Sequence, residues 1–316
     1  MHPASSVILF TTSAGAGYGL LFLIALAAPH RMLPLDMWFG VISMGLALVL
    51  ITIGLLSSTF HLAHPERAWR AMSQWRSSWL SREGVAALFT YIPAVLYAGS
   101  WVFLQETRGS WPGLIAALAC VGAIATVFCT GQIYASLQTI RQWNHVLTTP
   151  VYLVFALASG ALFLNVLIRS FGRAEQWCDI LVILSLVAAW ALKGCYWRGI
   201  DTARELHTVE TATGLGALGK VRLMAPPHSS ENYLMRELGF KIARKHAQRL
   251  RRIAQMLGLV LPLVATAVML QADGGLGILL AVIALVSGMI GIAFERWLFF
   301  AQAKHTVQLY YGEAAA

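Results

Sequence analysis

Eight long apolar runs divide the chain: Val7–Ala28, Met37–Phe60, Val85–Leu104, Trp111–Ile133, Val151–Ile168, Trp177–Trp197, Ile253–Leu270 and Leu276–Phe300. A helix rises about 1.5 Å per residue and the hydrocarbon layer of a bilayer is about 30 Å thick, so roughly 20 apolar residues make one crossing. All eight runs qualify, the seventh only with its flanks. Charged residues make up 12% of the sequence, against about 25% in an ordinary soluble domain. A soluble core cannot enclose so many uninterrupted runs. Transmembrane strands would alternate with period two over about 9–11 residues, and nothing here does. The expected fold is all-α: a single polytopic domain, residues 1–316, with eight transmembrane helices. The first run does not read as a cleavable signal, because Met1-His2-Pro3 carries no basic residue and seven further runs follow.

Eight crossings put both termini on one face, together with connections 61–84, 134–150 and 198–252. That face holds 17 Lys and Arg, whereas the other has only Arg31, Arg108, Arg169 and Arg173. Positive charge is retained inside, so the termini are expected in the cytoplasm and the protein in the cytoplasmic (inner) membrane. The 198–252 connection is the one substantial soluble element. Its excess of base sits mainly in Lys241–Arg252, next to the seventh run. A helical extension resting on anionic headgroups explains this patch, and docking of an acidic partner is the alternative. Beside a membrane span, such a patch gives no ground for nucleic-acid binding.

None of the nine histidines lies near the middle of a run, which disfavours a transmembrane haem. The four cysteines, Cys120, Cys129, Cys178 and Cys195, fall inside runs without CxxC spacing, so no metal or iron–sulfur site is expected. Near the other run ends, Lys193 is expected to snorkel to the interface and Arg198 to pair with Asp201 at i,i+3. Glu295 and Arg296 read as an interfacial helix end.

The polar groups gather instead between the second and third runs, in HLAHPERAWRAMSQWRSSWLSREG, His61–Gly84. Pro65 should end the second helix near His64. Arg67 and Arg70 are spaced to share one side of a short helix. Ser81 is a candidate N-cap that places Glu83 in the first turn, where the helix dipole stabilises an anion. Two readings of the stretch stay open. One is an interface belt, with Trp69, Trp75 and Trp79 at headgroup depth and Arg facing lipid. The other is a quinone site. His61 closes one span and Glu83 opens the next, so both stand at one depth, where imidazole can bind a headgroup oxygen and carboxylate can relay its proton.

With YWRGID in weaker support, this stretch resembles the membrane-anchor subunits of dimethyl-sulfoxide-reductase-type molybdenum enzymes, the DmsC-like anchors. The resemblance spans most of the sequence. It implies a haem-free anchor that holds a four-cluster iron–sulfur subunit and a molybdopterin catalytic subunit. Such an anchor exchanges electrons with menaquinone or ubiquinone, while the metal cofactors reside in the partners. By the same resemblance His61 and Glu83 are the site's acid–base pair and Arg67 a quinone-site residue. His64, Arg70, Arg76, Arg82 and Arg198 are supporting or partner-docking groups. Where some members have glycine after the His-Leu pair, this protein has Ala63.

Anchors of this kind serve sulfoxide reductases and sulfite-oxidising enzymes, and a cytoplasmic docking face suits sulfite dehydrogenase better. The competing classes are a purely structural anchor, a polysulfide-reductase-type anchor and a small-molecule transporter. The transporter reading lacks a charged midplane site or a broken-helix pair.

Overall fold

The structure, a computed structural model, describes residues 5–59, 64–203, 208–222, 224–225 and 246–311. Eight helices are long and apolar enough to cross a membrane. They are α1 (Ser5–Ala27), α2 (Met37–Thr59), α3 (Trp79–Leu104), α4 (Ser110–Ala135), α5 (Thr148–Ser170), α6 (Gln176–Thr202), α7 (Ala247–Met269) and α8 (Gly274–Ala301). The all-α fold and the eight spans expected from hydropathy are present, and this is a multi-pass inner-membrane protein. Local chemistry sets the helix starts: the Asp36 carboxylate accepts from the Phe39 amide at 2.9 Å, as an N-cap acid does.

The helices form two groups of four. In the first, α1 packs on α2 and α4, and α3 packs on α2 and α4; in the second, α5 packs on α6 and α8, and α7 packs on α6 and α8. The groups meet where α1 lies along α5, with α4 and α8 beside them. Accordingly α1 and α5 are the most enclosed spans. Lipid offers no hydrophobic drive for helices to associate, so close backbone approach has to supply the contact. A Cβ on Gly19 would stand 1.8 Å from the Ala156 carbonyl oxygen, and one on Gly160 would stand 2.2 Å from the Gly19 backbone. The α1–α5 crossing therefore depends on both glycines.

Pro262 interrupts α7, where a wide turn at Met256–Val260 joins helical Ala247–Gln255 to Leu261–Met269. Proline has no N–H for the carbonyl four residues earlier. That carbonyl belongs to Gly258, and the Trp190 indole of α6 donates to it at 2.9 Å. A neighbouring side chain thus satisfies the group that proline frees, as the bilayer interior requires.

Four expectations about the helix ends change. Glu295 and Arg296, read as an interfacial end of α8, are buried inside the bundle. The N-cap of α3 is Ser78, whose hydroxyl accepts from the Ser81 amide at 3.4 Å. Helix α3 therefore starts earlier than expected and Glu83 lies beyond its first turn, out of close reach of the helix dipole. Asp201 pairs with Arg251 at 2.5 and 3.0 Å, leaving Arg198 exposed. Lys193 does not snorkel: it is fully buried, with Nζ 2.6 Å from Glu295 of α8. The basic extension is helical from Ala247, with Arg249 and Arg252 exposed but Arg251 turned inward; residues 241–245 lie outside the described residues.

Candidate functional site

Between α2 and α3, Pro65–Gln74 forms a 3₁₀ helix. At three residues per turn it aligns Arg67 with Arg70. This segment is strapped over the start of α3. Arg82 donates to the carbonyls of Trp75 at 2.9 Å and Arg76 at 2.6 Å, and its guanidinium lies 4.2 Å from the Trp79 ring centroid. The Ser81 hydroxyl donates to the Ala71 carbonyl. Beneath the strap Glu83 is 4% exposed.

The partner of Glu83 is a hydroxyl. Thr130 of α4 hydrogen-bonds its carboxyl, and the same Thr130 oxygen stands 3.0 Å from the Thr126 carbonyl. A threonine hydroxyl has one proton to give. Directed at Glu83, it serves an ionised carboxylate. Directed at Thr126, it leaves its oxygen to accept from a protonated carboxyl. Rotation of one hydroxyl thus accommodates both charge states. One turn further along α4, Thr126 meets Thr90 of α3 at 3.3 Å. The Tyr18 hydroxyl of α1 faces Thr126 without a well-aligned hydrogen bond. Hydroxyls therefore extend from Glu83 toward the middle of the bilayer.

The other buried carboxylates within the spans have cations. Asp179 of α6 pairs with Arg169 of α5 at 2.7 Å and accepts from Asn165 at 2.6 Å. Glu295 lies 2.6 Å from Lys193 and 2.7 Å from Arg296 Nε. Aromatic rings solvate those two cations: Lys193 is 3.9 Å from the Tyr196 centroid and Arg296 3.9 Å from that of Tyr152. Glu83 forms no ion pair among the described residues.

A narrow cavity of about 20 Å³ connects the two regions, with room for about one water. Tyr18 of α1, Thr130 of α4, Tyr152 of α5 and Arg296 of α8 stand on its walls. Among the described residues neither terminal guanidinium nitrogen of Arg296 makes a well-aligned hydrogen bond, although the Tyr152 side chain stands beside them.

Of the residues singled out in the sequence, the structure buries Glu83. His61 lies outside the described residues. Arg67 is more than half exposed and stands 3.7 Å from Glu66, which also approaches His64 at 3.1 Å. Arg70 and Arg76 are exposed and lie over Trp69 and Trp75, each 5.5 Å from the centroid, as interface arginines do. Arg82 holds the strap. The sequence does not single out Thr130 and Tyr18, because hydroxyls are common in apolar spans and do not stand out there.

The family model for the DMSO reductase anchor subunit (DmsC) matches residues 1–302. The protein belongs to this family. The C subunit of the sulfite dehydrogenase of Allochromatium vinosum is 31% identical, the match covering all of both sequences. The C polypeptide of the polysulfide reductase of Wolinella succinogenes is 28% identical, over 57% of this sequence and 66% of its own. No solved structure matches. As a DmsC-family protein it is a membrane anchor of an oxidoreductase complex. No group of three or more His, Cys, Asp or Glu that could hold a metal occurs among the described residues.

Proposed function

We propose that this anchor is the quinone-reactive subunit of a molybdopterin/iron–sulfur oxidoreductase. It passes electrons between a four-cluster iron–sulfur partner and membrane quinone, and the accompanying protons pass through Glu83. The observation that carries this reading is a buried carboxyl with no cation among the described residues, hydrogen-bonded to a hydroxyl that can serve it charged or neutral. A carboxylate kept only for architecture would be paired, as Asp179 and Glu295 are. Reduction of a quinone consumes two electrons and two protons, and a site at the membrane's edge can draw those protons from water. His61 is assigned to the headgroup and Arg67 to the charge at its margin. His64, Arg70, Arg76 and Arg198 are assigned to the partner-facing surface. The full-length similarity to the C subunit of a sulfite dehydrogenase favours sulfite oxidation as the reaction of the catalytic partner.

Glu83→Gln keeps the shape and removes the titratable group. Quinone-linked turnover of the purified complex should fall about 10²–10⁴-fold, the usual contribution of a positioned acid–base group. Turnover with a dye that takes electrons directly from the partner subunits should persist. His61→Ala should in addition weaken binding of a quinone analogue. Near-normal quinone-linked rates in both variants would leave a purely structural anchor.

A further inference from the structure

Between α4 and α5 an apolar groove of about 240 Å³ opens from the bundle toward lipid. Its walls are Ile124 and Val127 of α4 and Leu153, Val154 and Leu157 of α5, and Tyr18 of α1 lies at its floor. Tyr18 and Val127 also line the cavity that holds Thr130 and Arg296. One layer of side chains therefore separates a lipid-facing groove from the hydroxyls leading to Glu83. The Tyr18 side chain is 2% exposed and its hydroxyl makes no well-aligned hydrogen bond among the described residues. A buried hydroxyl held only by a poorly aligned approach to Thr126 is under-satisfied, which is costly, and a lipid acyl chain in the groove has nothing to offer it. A ligand with an apolar tail and a carbonyl-bearing head has both. The groove is smaller than the roughly 300–1,000 Å³ of sites that enclose a whole ligand, which suits a long molecule held in part.

We propose that this groove is the lateral entrance of the quinone: its isoprenoid tail lies between α4 and α5, and Tyr18 donates a hydrogen bond to a headgroup oxygen. The proposal rests on the quinone reading of Glu83 and adds the route and a headgroup contact along it, deeper in the bundle than the one assigned to His61. Thr126 and Thr130, one turn apart on α4, then connect the head region to the carboxyl.

The test compares an isoprenoid quinone with a short-tailed quinone of the same headgroup, using the purified complex in nanodiscs. Ile124→Trp and Leu157→Trp fill the groove. Leu118→Trp, on the lipid-exposed surface of α4 outside the groove, is the control. The groove variants should raise the KM for the long-tailed quinone by about tenfold more than for the short-tailed one, within the range of modest steric changes in an apolar site. Tyr18→Phe should raise the KM for both. Dye-linked turnover reports assembly of every variant. A KM ratio equal to wild type in both groove variants overturns the entrance, and unchanged KM values in Tyr18→Phe overturn the headgroup contact. Absence of quinone turnover in the wild-type complex, with dye turnover intact, removes the quinone reading itself and the groove with it.

Discussion

At the scale of single residues, proton chemistry depends on which partner each group has lost or kept. His145, in the connection between α4 and α5, shows this outside the spans. Its Nδ1 accepts from the Leu147 amide at 3.1 Å and its ring packs edge-on against Tyr196. Burial, then the charges of Lys193 and Arg141, hold its pKa below the ordinary histidine value. The folded connection therefore binds fewer protons than the unfolded polypeptide as pH falls through about 6.5. Stability is intact above that value and lost progressively below it, because an imidazolium has no acceptor for the Leu147 amide. Hydrogen exchange at Leu147, corrected for intrinsic rates, should show weaker protection at about pH 5.5 than at about pH 7.5. His145→Gln should abolish the difference. Equal protection of the wild type at both values would show that the imidazole does not hold this turn.

At the scale of helices, the spans are legible in the sequence because length and hydropathy alone define a crossing. Which side of each helix turns inward is not. Apart from Asp179 and Lys193, runs such as Trp177–Trp197 are apolar on nearly every side and carry no continuous polar stripe to mark the core. Lys193 accordingly reads as snorkelling, although it enters the bundle and meets Glu295. The start of α3 is displaced by one turn in the sequence reading because Ser78 and Ser81 are equally good caps on paper, and only the strap distinguishes them: Ser81 is occupied by Ala71. Glu83 can be nominated from its position between two runs, whereas its hydroxyl partner requires the register of α3 against α4. The Lys193–Glu295–Arg296 cluster makes its own prediction. It holds two cations for one carboxylate, all 2% exposed or less. Lys193→Met leaves Glu295 and Arg296 as a neutral pair and should be tolerated. Glu295→Gln leaves two buried cations facing each other and should cost about 3–5 kcal/mol, as removing one side of a buried ion pair does. Thermal unfolding of the purified protein in detergent decides between them, and a larger loss in Lys193→Met would show that net charge does not govern this cluster.

At the scale of the whole molecule, the two faces are built for different tasks. On one, short turns join the helices, and Arg169 binds Asp179 while donating to the Ala272 carbonyl at 3.2 Å, fastening α5 and α6 to the turn between α7 and α8. The other bears the strap, the start of α1, the ends of α6 and α8 and the start of α7. Electrostatics should decide which compartment it faces. The strap, the other connections on this face and the tail carry 17 basic residues against four opposite, and basic segments beside spans are retained in the cytoplasm. Some of this charge has a structural use, since Arg82 holds the strap and Arg251 binds Asp201. Arg67, Arg70, Arg76, Arg249 and Arg252 remain exposed, so the asymmetry survives that deduction. Reporter fusions within 205–235 and after Ala316 should be active only where the reporter works in the cytoplasm. On the function proposed above, the partner subunits would then assemble without export, and quinone protons would exchange with the cytoplasmic side through Glu83. A periplasmic reporter active at both positions would reverse the orientation and place the basic face opposite an exported partner. Its charge would then have to be explained by attraction to that partner rather than by topology.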